Sequence, residues 1–284
     1  MIYLQSITFP DQRREMEFIW RIARTCYDTY YPFKVLSSRG LTRLDFEPVT
    51  ILYGGNGSGK STALNVIAEK AGISRESLYN KSNFYPDYLK MCEIPLLTSI
   101  PAHSRIITSD DVFDYMLDIR SLNEGIDQRR EEVFQEYLDV KYSQFQLNSL
   151  DDYEQLKRVN NARRKTQSKF VRGELMDNAP EYSNGESAFR YFTEKVTENG
   201  LYILDEPENS LSAKRQLELA GFLEDSARFY GCQFILSTHS PFLLALKGAK
   251  VYSLDENPVC VMKWSELENV RIYQQFFLGH EGEF

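Results

Sequence analysis

Apolar residues fall into two rhythms along this chain. Val49–Tyr53, Leu201–Leu204 and Cys232–Ser237 are nearly continuous apolar runs, the pattern of strands buried on both faces. Between them, residues three or four apart predict helices. One carries Leu64, Ile67, Ala68 and Ala71 and closes at Gly72; another carries Phe189, Phe192 and Val196; a third carries Leu219, Phe222, Leu223, Ala227 and Tyr230. Ile2 to Phe9 alternates as a first strand ended by Pro10. Residues 250–254 and 259–264 flank Asp255-Glu256-Asn257-Pro258 as a hairpin. Asp11 to Arg24 reads as a surface helix whose Arg13, Arg14, Arg21 and Arg24 suit a solvated face better than an anion site. The aromatics Tyr27, Tyr30, Tyr31 and Phe33 suit packing better than stacking on a base.

Strands alternating with helices predict an α/β fold with a mostly parallel sheet core, antiparallel edge strands and ligands at the strand C-termini. From Val112 the pattern turns helical, with Val133, Tyr137 and Val140, and Phe134 and Leu138 beside them, as an apolar stripe among charges. A single domain is expected over 1–284, with 1–110 and 181–284 as its core lobe and about 112–180 as an inserted helical lobe.

Composition narrows the classes. Among 284 residues, 33 basic and 41 acidic side chains leave a net charge of -8, so the protein as a whole repels nucleic acid and anionic membranes. One strip departs from this: Lys157, Arg158, Arg163, Arg164, Lys165, Lys169 and Arg172 follow one another with no acid among them. That suits either a solvated helix face or an anion-binding surface. Cys26, Cys92, Cys232 and Cys260 have no metal-ligand spacing, which argues against zinc and a disulfide framework and suits the cytoplasm. No run of 18 apolar residues and no signal-peptide pattern is found, so no membrane association is expected.

The candidate chemistry begins after Tyr53. Gly54 to Ser61 fits the phosphate-binding loop, with Asn56, Gly57, Ser58, Gly59, Lys60, Ser61 and Thr62 as nucleotide contacts. Glycines let backbone N–H groups turn toward phosphate oxygens, Lys60 reaches the β- and γ-phosphates, and the Ser61 hydroxyl holds Mg²⁺. Asp205, at the end of an apolar run, suits a Mg²⁺ ligand acting through water; Glu206 suits a general base; His239 suits a donor to the γ-phosphate.

Together these motifs resemble the heads of ATP-binding cassette (ABC) ATPases, more narrowly those of SMC, RecF and OLD-family proteins and the compact stand-alone ATPases related to them. The resemblance covers residues 45–72 and 180–255 and is loose over 73–180. Gly55 to Thr62 matches the Walker A loop, Ser183-Asn184-Gly185-Glu186 the signature, and Asp205-Glu206 the Walker B pair. Asn209-Ser210-Leu211-Ser212 matches the D-loop, and Ser237 to Pro241 the switch histidine. It implies a P-loop NTPase of ABC-ATPase type that uses ATP and Mg²⁺, as a head-to-tail homodimer sandwiching two ATP. Ser183, Gly185 and Glu186 would then meet the nucleotide held by the other subunit. The signature departs from the transporter form Leu-Ser-Gly-Gly-Gln, which argues against a transporter subunit. Ser109-Asp110-Asp111 stands where a Q-loop glutamine is expected, making Asp110 a candidate metal or water ligand. The resemblance implies control of a protein effector, a nuclease or toxin, in genome defence or DNA repair. The alternative is an ATP-dependent DNA-binding protein of SMC/RecF type, touching DNA through Lys157 to Arg172.

Overall fold

The computed structural model describes residues 1–22, 26–27, 29–95, 98–143, 152–180 and 182–283. The chain forms two compact units, Met1–Phe113 with Asn184–Phe284, and Asp114–Ser183. In chain order the strands are β1 (Ser6–Thr8), β2 (Arg43–Asp45), β3 (Val49–Tyr53), β4 (Arg105–Thr108), β5 (Leu201–Asp205), β6 (Gln233–Ser237), β7 (Lys250–Ser253) and β8 (Cys260–Met262). The helices are α1 (Gln12–Arg21), α2 (Lys60–Ala71), α3 (Tyr85–Met91), α4 (Ser109–Tyr142), α5 (Tyr153–Arg164), α6 (Gln167–Glu174), α7 (Asn184–Lys195), α8 (Ala213–Phe229), α9 (Pro241–Leu244) and α10 (Glu268–Gly279). Among the described residues no helix is long and apolar enough to cross a membrane.

In the first unit six strands pair in the order β4-β5-β6-β3-β7-β8. All neighbours are parallel except β8, which runs antiparallel on β7 and closes the edge as the expected hairpin. Every residue of β3 and β6 is buried, as a central parallel sheet requires. Ile51, Leu52, Ile235 and Leu236 are wholly enclosed, each contributing about 1.5–3 kcal/mol of burial. The register sets the site. Leu52 pairs with Ser237, Ser237 with Asp205, and Asp205 with Thr108, so these four strands end side by side. α2 leaves β3 through the phosphate loop and buries Lys60 and Thr62 to Ala68. It stops at Gly72, whose φ of 68° lets its N–H return to the helix carbonyls.

Two elements differ from the sequence pattern, and the aromatic run follows it. The first strand is short: β1 spans Ser6–Thr8 and pairs with β2, with one further bridge from Thr8 to Glu93. Upstream, the buried Gln233 side chain takes the backbone instead. Its Oε1 accepts from Tyr3 N (2.8 Å) and Leu4 N (2.9 Å), and its Nε2 donates to the Leu4 carbonyl at 2.8 Å. α4 starts at Ser109 rather than Val112. Thr108 and Asp111 form a capping box, with Thr108 N donating to Asp111 Oδ2 at 2.6 Å and Asp111 N to Thr108 Oγ1 at 3.4 Å. The aromatic run packs: Tyr27 and Tyr30 meet Phe84, and Phe33 stacks on Phe18.

In the second unit Val133, Tyr137, Ala162, Phe170 and Val171 form a small core, with Phe134 and Val140 against it. Leu138, expected in the stripe, is exposed. Asn123 pairs with the Ala179 backbone through both amide atoms, at 2.8 and 2.9 Å. The basic strip is partly neutralised by acids from elsewhere in the sequence: Lys157 pairs with Glu154 (2.8 Å) and Arg158 with Glu136 (2.7 Å). In α1, Arg13 pairs with Glu17 and the Arg14 N–H is capped by Asp11, as a solvated face requires; Arg24 lies outside the described residues.

Replacing Gln233 by Leu keeps the strand apolar but strands two N–H groups and a carbonyl in the core. Each unsatisfied group costs about 1–3 kcal/mol. Urea unfolding should show a loss of about 3 kcal/mol or more; a change within error would exclude the tether.

Candidate functional site

The phosphate loop bends at glycines. Gly57 and Gly59 have φ of 78° and 98°, and a Cβ on Gly59 would stand 3.1–3.2 Å from Leu36 and Val35. At Gly54 a Cβ would strike Ser58 Oγ at 2.6 Å. Val35, Asn56, Gly57, Ser58, Gly59, Lys60, Ser61, Thr62 and Glu206 line an open cavity of about 360 Å³ at the N-terminus of α2. Free N–H groups at a helix start suit an anion. Tyr31 reaches this end too, its hydroxyl 3.2 Å from Thr62 Oγ1.

Lys60 is nearly buried, and its ammonium is satisfied within the loop. It donates to the Gly54 carbonyl at 2.6 Å and the Gly55 carbonyl at 3.3 Å. A third contact is His239 Nε2 at 3.0 Å. An ammonium can only donate, so Nε2 is the accepting nitrogen. Glu206 Oε1 stands 4.0 Å from Lys60 Nζ and 3.7 Å from His239 Nε2. The Walker A lysine, the Walker B glutamate and the histidine therefore converge on one point. Glu206 takes a left-handed φ of 50°, and its N–H donates to both the Ser237 carbonyl and Oγ at 3.1 Å. Those bonds turn the chain off β5 so that the side chain faces the loop.

Asp205 is held beneath. Ser237 Oγ donates to its Oδ1 at 2.5 Å, and the Ser61 hydroxyl lies close enough to lower the same carboxyl. Burial pushes the Asp205 carboxyl above the usual carboxylate range, offset partly by those two hydroxyls. A buried carboxylate touching an exposed serine hydroxyl is a donor set short of positive charge, which fits Mg²⁺.

Not every expected residue joins this cluster. Asp110 is exposed on the first turn of α4, in the capping box that occupies the place expected for a Q-loop. Gly185 and Glu186, at the start of α7, lie beside the Ser210 carbonyl and Arg215. Ser183 immediately precedes α7. Two acids that the motifs did not flag are also present. Asp255, in the hairpin turn, accepts from Gly55 N at 2.8 and 3.0 Å. Glu208 accepts from the backbone N–H groups of His239 (2.5 Å) and Ser240 (3.2 Å). Burial also raises the Glu208 carboxyl. A carboxylate after a Walker B pair was visible in sequence, but its partner was not.

A family model described as "AAA domain, putative AbiEii toxin, Type IV TA system" matches residues 75–245, more than half of the chain and including Asp205, Glu206 and His239. The chain belongs to this AAA family. Among solved structures, this AAA domain is similar to a post-hydrolysis dimer of an ATP-binding cassette bound to ADP and Pi. Identity there is 14%, over 79% of this chain and 90% of that one, with a TM-score of 0.37. It is similar also to an SMC head domain from Thermotoga maritima, at 12% identity over 92% and 99%, with a TM-score of 0.39. No curated protein matches the chain.

The raised Asp205 carboxyl gives the AAA domain a pH-dependent signature. An acid whose folded pKa lies above its unfolded value costs stability once ionised; the cost is absent below the unfolded pKa and complete above the folded one. Asp205→Asn removes it while keeping the acceptor for Ser237. Without nucleotide, the melting temperature at pH 7 should rise by about 2–4 °C. The difference should shrink as pH falls to the ordinary carboxylate range. An Asn variant that melts lower at pH 7 would refute this account.

Proposed function

We propose that this domain binds and hydrolyses ATP with Mg²⁺ in the cytoplasm, as a head-to-tail homodimer that regulates a protein effector, a nuclease or toxin, in genome defence or DNA repair. The observation that carries the hydrolytic part is the meeting of Lys60, Glu206 and His239 within 4.0 Å of one another, above the Ser61–Asp205 pair. The family description, which names a putative toxin system, supports the defence setting.

The residues divide the work. Loop N–H groups and Lys60 hold the β- and γ-phosphates. Ser61 and Asp205 would hold Mg²⁺, which supplies positive charge to the phosphate oxygens when bound. Glu206 takes a proton from the attacking water as the water oxygen bonds to the γ-phosphorus and the bridging oxygen leaves with ADP. Once phosphate displaces Nε2 from Lys60 and the ring carries its proton there, His239 donates to a γ-phosphate oxygen as charge develops. Ser183, Gly185 and Glu186, at the start of α7 and outside the phosphate-loop lining, are assigned to nucleotide bound by a second copy.

A DNA-contacting reading rests on five exposed cations, Arg163, Arg164, Lys165, Lys169 and Arg172, which make no ion pair with a described residue. The net charge of -8 favours an acidic protein partner over DNA at this strip.

Glu206→Gln keeps the shape and removes the base, so turnover should fall at least about 100-fold. Light scattering with Mg-ATP should then show a lasting dimer, and Ser183→Arg should stay monomeric. A Glu206→Gln protein that turns over normally, or stays monomeric with ATP bound, contradicts the proposal. Charge reversal at Arg163, Arg164 and Lys165 tests the strip by fluorescence anisotropy with labelled duplex at two salt concentrations. The expected result is no DNA binding by the wild type. Binding that weakens by about 0.9 in log K per phosphate contact per decade of salt, and is lost in the triple variant, would establish the DNA reading instead.

A further inference from the structure

We infer that Glu208 and Asn269 are positioning residues for hydrolysis, clamping the His239 peptide from both sides and so fixing where its imidazole stands. The inference rests on the reading of His239 as a γ-phosphate ligand. His239 lies two residues beyond the end of β6, where the strand ladder no longer holds the backbone. Side chains take over that task. Glu208 accepts from the His239 N–H at 2.5 Å, and Asn269 Nδ2 donates to the His239 carbonyl at 2.9 Å. Both polar groups of one residue are thus held by elements remote in sequence, one in the turn after β5 and one on the first turn of α10.

The flanking positions are fixed as well. Thr238 and Ser240 are buried; Ser240 N also donates to Glu208, and Ser240 Oγ caps α9 and donates to Gln216. The backbone is hydrogen-bonded on both sides while the imidazole stays about one-third exposed. The Glu208 carboxylate is held in the interior by its bonds to this loop, while burial raises it above the usual range.

The clamp also ties the histidine to the other reacting groups. Glu208 shares its turn with Glu206: Asn209 N donates to the Glu206 carbonyl at 3.1 Å, and Asn209 Nδ2 to Glu206 Oε2 at 3.3 Å. Asn269 N donates to Tyr53 Oη at 3.2 Å, and Tyr53 is the last residue before the phosphate loop. A displacement of about 1 Å at a reacting group can cost on the order of 100-fold in rate. A peptide held at both ends fixes the Cα from which the ring extends, so the backbone contributes little to any displacement of the ring.

The test uses the full chain. Single-turnover ATP hydrolysis, ATP affinity by calorimetric titration and melting temperature are measured for Asn269→Ala, Asn269→Asp, Glu208→Gln, Glu208→Ala, His239→Ala and the double variant His239→Ala with Asn269→Ala. Asn269→Ala should slow hydrolysis by about tenfold while the ATP Kd stays within about twofold, because the clamp acts on the transition state. Asn269→Asp, which cannot donate, should be no faster. Glu208→Gln keeps an acceptor and should hold the wild-type rate, whereas Glu208→Ala should not. If Glu208→Ala fails to fold, the half-buried Asn269 variants carry the test. In the double variant, loss of Asn269 should slow hydrolysis no further, since the residue acts through His239. Additive losses, or Asn269→Ala at the wild-type rate beside a slow His239→Ala, overturn the clamp and leave the histidine's role standing. His239→Ala at the wild-type rate overturns the histidine's role and the clamp together.

Discussion

Leu52, Ser237 and Asp205 face one another across three parallel strands, and Lys60, Glu206 and His239 are all reached by short turns from that row. Side chains alternate along a strand, so a slip of one residue would send Asp205 to the opposite face and part Ser237 from it. The buried ladder of β3, β5 and β6 therefore sets stability and chemistry at once. Ser237 serves both: it pairs in the sheet and its hydroxyl holds Asp205 and the Glu206 N–H.

Around this row the interior carries charges that a core chosen for stability alone would avoid. Lys60, Asp205 and Glu208 are all withdrawn from water, and each is held by backbone groups or hydroxyls. Lys60 and the two carboxyls balance incompletely, with burial raising both Asp205 and Glu208.

How much was legible in the sequence depended on how local each signal was. The runs 49–53, 201–204 and 232–237 announced central strands because burial on both faces leaves no polar gap. The phosphate loop, Asp205-Glu206 and His239 were readable because each is a strand end followed by a marked turn. What tertiary structure supplied was hidden. The short β1 follows from a glutamine more than two hundred residues away. The contacts of Glu208, Asp255 and Asn269 join segments that no spacing rule connects. Arg158 pairs with Glu136 from another helix, which a count along the chain could not show, whereas the Lys157–Glu154 pair is three residues apart on one helix. The Thr108–Asp111 capping box was a local signal, but the expectation of a Q-loop drew attention to Asp110 instead.

The three contacts of the Lys60 ammonium have a consequence for recognition. An incoming phosphate does not meet a bare cation; it competes with the Gly54 and Gly55 carbonyls and with the His239 ring. What Lys60 adds to affinity is the difference between two sets of partners, not the strength of one. A ligand with a single phosphate must displace the same contacts as a triphosphate while returning fewer. In the proposed nucleotide site, internal competition of this kind would favour a ligand that returns more contacts to Lys60 than it displaces.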